Sequence, residues 1–243
     1  MAFPFTHLCV GLELLKIELL KSHSMSENDK ALFMLGTVAP DGIHYRESFL
    51  NSNMKSIGPA KKITHLCPVS GERWGAITDN DGWTRRVFEF LETQPADPLR
   101  LGYAVHVLTD IYNNLTLWES FRTNYPAEAA KGYASEYYTD MHEIHGRLYE
   151  QTPYANEIME LLSKSNPQAD IKWNGELLIT MDEMDAIKQN LIHDDYKNAK
   201  ERITPGYEYK FVTYDDMLGF ISGAASQISA KVFLSPSPQP TDC

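Results

Sequence analysis

Apolar residues recur at Leu8, Leu12, Leu15 and Leu19 with glutamate and lysine between them, the period of a helix with one buried face. The repeat predicts a helix over 8–21, with Thr6 as its candidate cap and His7 in the first turn. A second short helical run covers 29–35 and ends at Gly36, before the Val38-Ala39-Pro40-Asp41-Gly42 turn; Pro40 and Gly42 stop it and project Asp41 from the junction. Residues 45–62 are polar, with a Gly58-Pro59 break, and read as a surface loop. The glycines of 68–82 mark a further loop before a helix over 83–92, and Pro95 and Pro98 separate that helix from the run Leu101-Gly102-Tyr103-Ala104-Val105-His106-Val107-Leu108-Thr109-Asp110. This most apolar helix is expected to continue to Phe121. Helical periodicity returns over 133–149, 158–162, 182–202 (with Thr180 as cap) and 215–233, while 171–179 could form a short extended piece. Strand alternation, internal repeats and linkers are otherwise lacking. The expectation is an all-α single domain over 1–234 with a flexible tail at 235–243.

Composition narrows the function classes. The 243 residues are 43% hydrophobic, with a net charge of −11, and the only paired cations, Lys61-Lys62 and Arg85-Arg86, form no basic stripe. Stable nucleic-acid binding is therefore not expected. No stretch approaches the roughly 20 apolar residues a membrane helix needs, and Met1–His7 lacks a basic leader pattern; a cytoplasmic protein without a transmembrane segment is expected. Cys9, Cys67 and Cys243 include no close pair, so buried thiols are expected at Cys9 and Cys67 rather than a disulfide framework.

The candidate chemistry starts in the apolar run. His106 and Asp110 stand four apart and share one helix face, where two unpartnered polar groups would cost on the order of several kcal/mol to bury. A metal ion accounts for both, but such a pair fills half of a tetrahedral shell. Asp41 and His65 complete a set of two imidazoles and two carboxylates, which suits zinc and other borderline divalent ions, and His7 would be a fifth ligand.

In order along the chain, Phe5-Thr6-His7-Leu8, Leu35-Gly36-Thr37-Val38-Ala39-Pro40-Asp41, Lys62-Ile63-Thr64-His65-Leu66 and Gly102-Tyr103-Ala104-Val105-His106-Val107-Leu108-Thr109-Asp110 resemble the bacterial zinc-dependent phospholipase C family, of which single-strand-specific zinc nucleases are more distant relatives. The resemblance covers about residues 1–150. It implies an all-α fold with a trinuclear zinc cluster in a cleft, hydrolysing phosphate esters. By the same resemblance Asp41, His65, His106 and Asp110 surround one zinc, and Asp110 bridges to a second held by His7. The family's remaining zinc takes two histidines and a glutamate, in a spacing this chain does not reproduce, since no histidine lies between Asp110 and His142. Asp140, His142 and His145 are the replacement candidates; Glu143 points elsewhere on that helix. His44 follows Asp41 as a ligand, a phosphate donor or a plain loop residue, and Arg46 and Lys55 are candidates for holding phosphate. His193-Asp194 sits in a densely charged run and reads as a solvated face.

The resulting expectation is a phosphoric (di)ester hydrolase using metal-activated water, one to three Zn2+ ions, and Asp41 or another cleft carboxylate as proton acceptor. Its substrate would be a small-molecule or lipid-headgroup phosphoester. The alternative is a non-catalytic helical protein that keeps a structural metal site.

Overall fold

The longest buried helix explains most of the architecture. The structure, a computed structural model, describes residues 3–17, 25–51, 59–67, 76–93, 97–152 and 155–233. Its α-helices longer than one turn are α1 (Pro4–Lys16), α2 (Glu27–Gly36), α3 (Pro59–Thr64), α4 (Asn80–Glu92), α5 (Pro98–Leu115), α6 (Leu117–Asn124), α7 (Glu136–Gln151), α8 (Ala155–Lys164), α9 (Met181–Gln189) and α10 (Tyr214–Phe233). In α5 Asp97 accepts from the Leu99 and Arg100 amides, and Pro98 occupies the first turn, where its missing N–H costs nothing. Nearly every side chain from Leu99 to Ile111 is buried. Helices α1, α2, α4 and α10 pack around it, and the core they share is one continuous apolar cluster. The fold is all-α, with a single two-stranded hairpin among the described residues.

One crossing sets the position of the site. Gly36 at the end of α2 and Gly102 in α5 lie so close that a Cβ on Gly102 would stand 2.0 Å from the Phe33 carbonyl oxygen. One on Gly36 would stand 2.2 Å from that of Leu99. Only two glycines let the backbones touch here, and the contact brings Thr37, the residue after α2, onto the His106 face of α5.

Several sequence expectations change. Helix α1 starts at Pro4, with no side chain capping it; Thr6 is buried and donates to Met217 Sδ at 3.9 Å instead. The real box at the start of α2 is Ser26 with Asp29. Helix α5 does not run on to Phe121, because Thr116 breaks it at φ −121°, ψ −92°. Thr180 does cap α9, in a reciprocal box with Glu183, but the helix expected over 182–202 is α only to Gln189. It then widens to a π turn over Asn190–Asp195 and tightens to 3-10 turns at Ala199–Arg202. The extended piece is a hairpin of β1 (Ile171–Trp173) and β2 (Glu176–Ile179). Asn174 and Gly175 join them at φ 50° and 81°, the positive pair a two-residue turn requires. The expectations for Lys55, Gly58, Pro95, Pro153 and the 235–243 tail lie outside the described residues. Among those described, no helix is long and apolar enough to cross a membrane.

Candidate metal centre

The five residues His7, Asp41, His65, His106 and Asp110 meet in the interior. They arrive on four pieces of local structure: His7 from the first turns of α1, Asp41 from the 3-10 turn Ala39–Tyr45, His65 from just past the end of α3, and His106 and Asp110 together from one face of α5. One ligand atom from each of His7, Asp41 and His106 lies within 4.8 Å of the other two, and the same holds for His65, His106 and Asp110. His106 thus belongs to both groups.

The orientation of the imidazoles is fixed from outside. His106 Nδ1 lies 2.8 Å from the Thr37 carbonyl oxygen, and His65 Nδ1 lies 3.0 Å from that of Lys61. A carbonyl can only accept, and the Thr64 hydroxyl, 2.9 Å from His65 Nδ1, gives its own proton to the Lys61 carbonyl, so Nδ1 carries the proton in both rings and Nε2 presents its lone pair to the interior. His65 Nε2 stands 3.5 Å from Asp41 Oδ1 and 4.0 Å from Asp110 Oδ2; His106 Nε2 is 3.7 Å from Asp110 Oδ2. His7 Nε2 faces the other Asp110 oxygen at 3.6 Å, its ring stacked on His106 at 3.8 Å between centroids. These separations are too long for hydrogen bonds. They are slightly wider than the roughly 3.3 Å between tetrahedral corners set by metal–ligand bonds of about 2.0–2.1 Å. Neither ring nitrogen of His7, nor His106 Nε2, nor Asp41 Oδ1 has a hydrogen-bond partner among the described residues, and all four atoms are buried. A divalent ion fits that donor set.

The backbone at His65 is held with strain. Leu66 adopts φ 54°, a left-handed conformation that a branched residue rarely takes. It is wholly buried, and side chains pin the carbonyls around it. Trp83 Nε1 donates to His65 O at 2.7 Å, Arg86 Nε donates to Leu66 O at 3.1 Å, and the Tyr103 hydroxyl donates to Thr64 O. Sequence reasoning did not find this collar, whose members lie in two separate helices, α4 and α5.

Burial sets the charge states. It pushes the His7 imidazole well below its ordinary range, with the neighbouring His106 adding to the effect, and pulls His65 down to about 3. Both rings are therefore neutral near pH 7, as metal ligation requires. Burial raises Asp110. It would raise Asp41 too, but the imidazoles of His44 and His65 beside it, with His106 and Lys61, outweigh burial and hold it well below the usual carboxylate range.

The acid sensitivity follows. The unfolded chain binds a proton at each histidine near pH 6.5 whereas folded His7 and His65 refuse it, so their contribution to stability is complete above about pH 6.5 and is lost as pH falls. For chelator-treated protein His65 predicts a loss of up to about 1.4 kcal/mol per pH unit between about pH 6 and pH 4, to which His7 adds in the same direction, offset in part by Asp110. Denaturant titrations at a series of pH values measure it, and a flat profile would contradict the neutral assignment.

The other expected ligands lie elsewhere. Asp140, His142 and His145 join none of the convergent groups among the described residues. Asp140 is a buried anchor for the stretch before α10: its carboxylate accepts from the amides of Lys210, Phe211 and Val212 and from the Tyr207 hydroxyl. His142 is exposed, its ring against Phe3 at 4.9 Å. His145 Nε2 is paired at 2.8 Å with Asp195, which also takes the Tyr149 hydroxyl and Arg202. Asp195 is the partner that sequence reasoning missed; the π turn carries it inward from the charged run. Glu143 binds the Thr204 amide and Arg147. Arg46 is not available for phosphate, because its guanidinium makes a two-pronged bridge to Glu183. Cys9 and Cys67 are buried as expected, and burial pushes the Cys9 thiol far up, which leaves it unreactive. His193 and Asp194 are exposed.

Beside Asp41 stand His44, which reaches solvent, and Lys61, which does not. His44, with 43% of its side chain exposed, places Nε2 at 3.6 Å from Asp41 Oδ1. Lys61 Nζ, almost fully buried, lies 3.1 Å from that imidazole nitrogen and 3.9 Å from the same carboxylate oxygen. Burial lowers the Lys61 ammonium, with Asp41 and Asp110 opposing the shift. Compared with family models, curated proteins and solved structures, the chain matches none of them.

Proposed function

We propose that the protein is a divalent-metal-dependent hydrolase of phosphoric (di)esters, of the phospholipase C type. The observation that carries this reading is the pair of imidazoles pinned through Nδ1 to Thr37 and Lys61 carbonyls. Their Nε2 atoms converge with two carboxylates at distances wider than hydrogen bonds. A metal-ligating histidine typically donates its other ring N–H to such an outer carbonyl, which fixes the tautomer and aims the ring. A donor set of nitrogen and oxygen, without thiolate, suits zinc among the borderline ions. His65, His106, Asp41 and Asp110 would hold one ion, with His7 and the second Asp110 oxygen available to another. The cation supplies Lewis acidity, drawing charge from phosphoryl oxygens and making water acidic enough to react near neutral pH.

The remaining work falls to side chains of this chain. Asp41, held ionised beside His44 and His65, would accept the proton of the attacking water as the new P–O bond forms. The P–O bond to the leaving group breaks on the opposite side, and the departing oxygen takes a proton from solvent. His44, half-exposed beside Asp41, relays the abstracted proton outward. The sequence offers no Gly-x-Ser-x-Gly nucleophile elbow or glycine-rich phosphate loop as a rival route.

The test is metal analysis of the purified protein together with turnover of bis-p-nitrophenyl phosphate, before and after chelation and after zinc is returned. Bound metal, with turnover that chelator abolishes and zinc restores, is the expected result. Turnover indifferent to chelator would end the proposal, and bound metal without turnover would leave the structural-site reading in its place.

A further inference from the structure

Independently of the hydrolase reading, we infer that a cavity between the start of α1, helix α7 and the π turn Asn190–Asp195 binds a small uncharged planar ligand with an N–H beside a C=O, as in an amide or a lactam ring. The cavity holds about 280 Å³, and Phe3, His142, His145, Leu191, Asp195 and Arg202 are among its walls. That is just below the roughly 300–1,000 Å³ of sites for drug-sized molecules, so it takes a single ring. Asp195 organises the polar side. His145 Nε2 lies 2.8 Å from its Oδ2 and Arg202 Nη2 lies 2.5 Å from its Oδ1, so one carboxylate sets an imidazole and a guanidinium side by side. The Tyr149 hydroxyl donates to Oδ2 at 2.6 Å. Burial would raise the Asp195 carboxyl, but these bonds outweigh it and hold the group well below the usual carboxylate range.

Counting donors and acceptors then selects the ligand. An ionised carboxylate only accepts, so His145 Nε2 carries the proton and, in the neutral ring, Nδ1 is an acceptor; Arg202 Nη1 can only donate. Both atoms are buried, and neither has a hydrogen-bond partner among the described residues. The His145 side chain is 5% exposed, too deep to be a solvated surface imidazole. The Asp195 network thus accounts for one nitrogen of each group and leaves an acceptor and a donor unmatched, at a desolvation cost. An N–H beside a C=O answers both at once. Charge agrees: Asp195 and Arg202 cancel, and burial lowers the His142 imidazole, with His145 and Arg202 adding to the effect, so a charged ligand would find no counter-charge. Phe3 sets its ring against both imidazoles, at 4.9 Å and 5.2 Å between centroids, and with Leu191 offers a flat ligand an apolar wall. The π turn that supplies Leu191 and Asp195 interrupts an otherwise regular helix, as such turns do at functional sites.

Isothermal titration of the metal-loaded, full-length protein at pH 8 tests the inference, with 2-pyridone as the probe and N-methyl-2-pyridone, which keeps the ring and the carbonyl but lacks the N–H, as its comparison. The wild type is expected to bind 2-pyridone at least about tenfold more tightly. Leu191→Phe fills the cavity and leaves the residues around Asp195 in place, so it should abolish 2-pyridone binding with metal content unchanged. No binding of 2-pyridone, or equal affinity for the two probes, would overturn the inference in the wild type alone, so a Leu191→Phe protein that fails to fold leaves it falsifiable. Undiminished 2-pyridone binding in folded Leu191→Phe would overturn it as well. None of these outcomes depends on ester turnover, so this site and the hydrolase stand or fall separately.

Discussion

Asp110→Ala is expected to leave the purified protein with fewer divalent ions per chain than the wild type and with almost no ester turnover. Among the described residues of the centre, Asp110 is the carboxylate whose two oxygens face different histidines, Oδ1 towards His7 and Oδ2 towards His106 and His65. Its loss therefore removes a donor from both parts of the centre at once. The effect should exceed the roughly 10- to 100-fold that follows from losing an outer-shell partner. Stability carries a second signature. In the metal-free fold the buried carboxylate resists ionisation, so removing it should cost little there, and the loss in Tm should be confined to metal-loaded protein. Thermal unfolding with and without chelator, run beside metal analysis, separates the two. Wild-type metal content in Asp110→Ala would refute the assignment, and exposed His193→Ala serves as the neutral control.

The second large effect is expected at Gly102. A valine there would drive its Cβ into the Phe33 carbonyl and against the Gly36 Cα, at 2.0 Å and 2.9 Å. Backbone cannot rotate out of the way as a side chain can, so the cost should exceed the roughly 1–3 kcal/mol of ordinary overpacking. Helices α2 and α5 must part, and with them the Thr37 carbonyl moves off His106 Nδ1. Gly102→Val should thus lower both the denaturant midpoint and metal affinity, whereas Thr37 itself is unchanged in sequence. A wild-type midpoint would show that the crossing is looser than described.

Much of this was legible in the chain. His106 and Asp110 announced themselves as costly groups on one apolar face, a purely local signal. The convergence with His7, Asp41 and His65 was anticipated from the order of short motifs. What failed was reading neighbours in sequence as neighbours in space. Asp140 precedes His142 by two residues, yet it serves the 207–212 stretch, and the partner of His145 is Asp195, fifty positions on. Asp195 was hidden because its inward turn depends on a π segment inside a highly charged run, which local periodicity reads as solvated. The break at Thr116 is similar. Asn114 beside it donates to Ile77 O and Asn80 Oδ1, contacts with another part of the chain that no local window contains.

The ligands of the centre come from segments far apart between residues 7 and 110, joined by long connections. An ion bound there would close several loops at once, as a set of covalent cross-links would, and restrict the unfolded chain more than any one contact. Metal binding would in this way be a folding event for the first half of the molecule. The hairpin, α9 and α10, which supply no ligand, would share in it only through the common core.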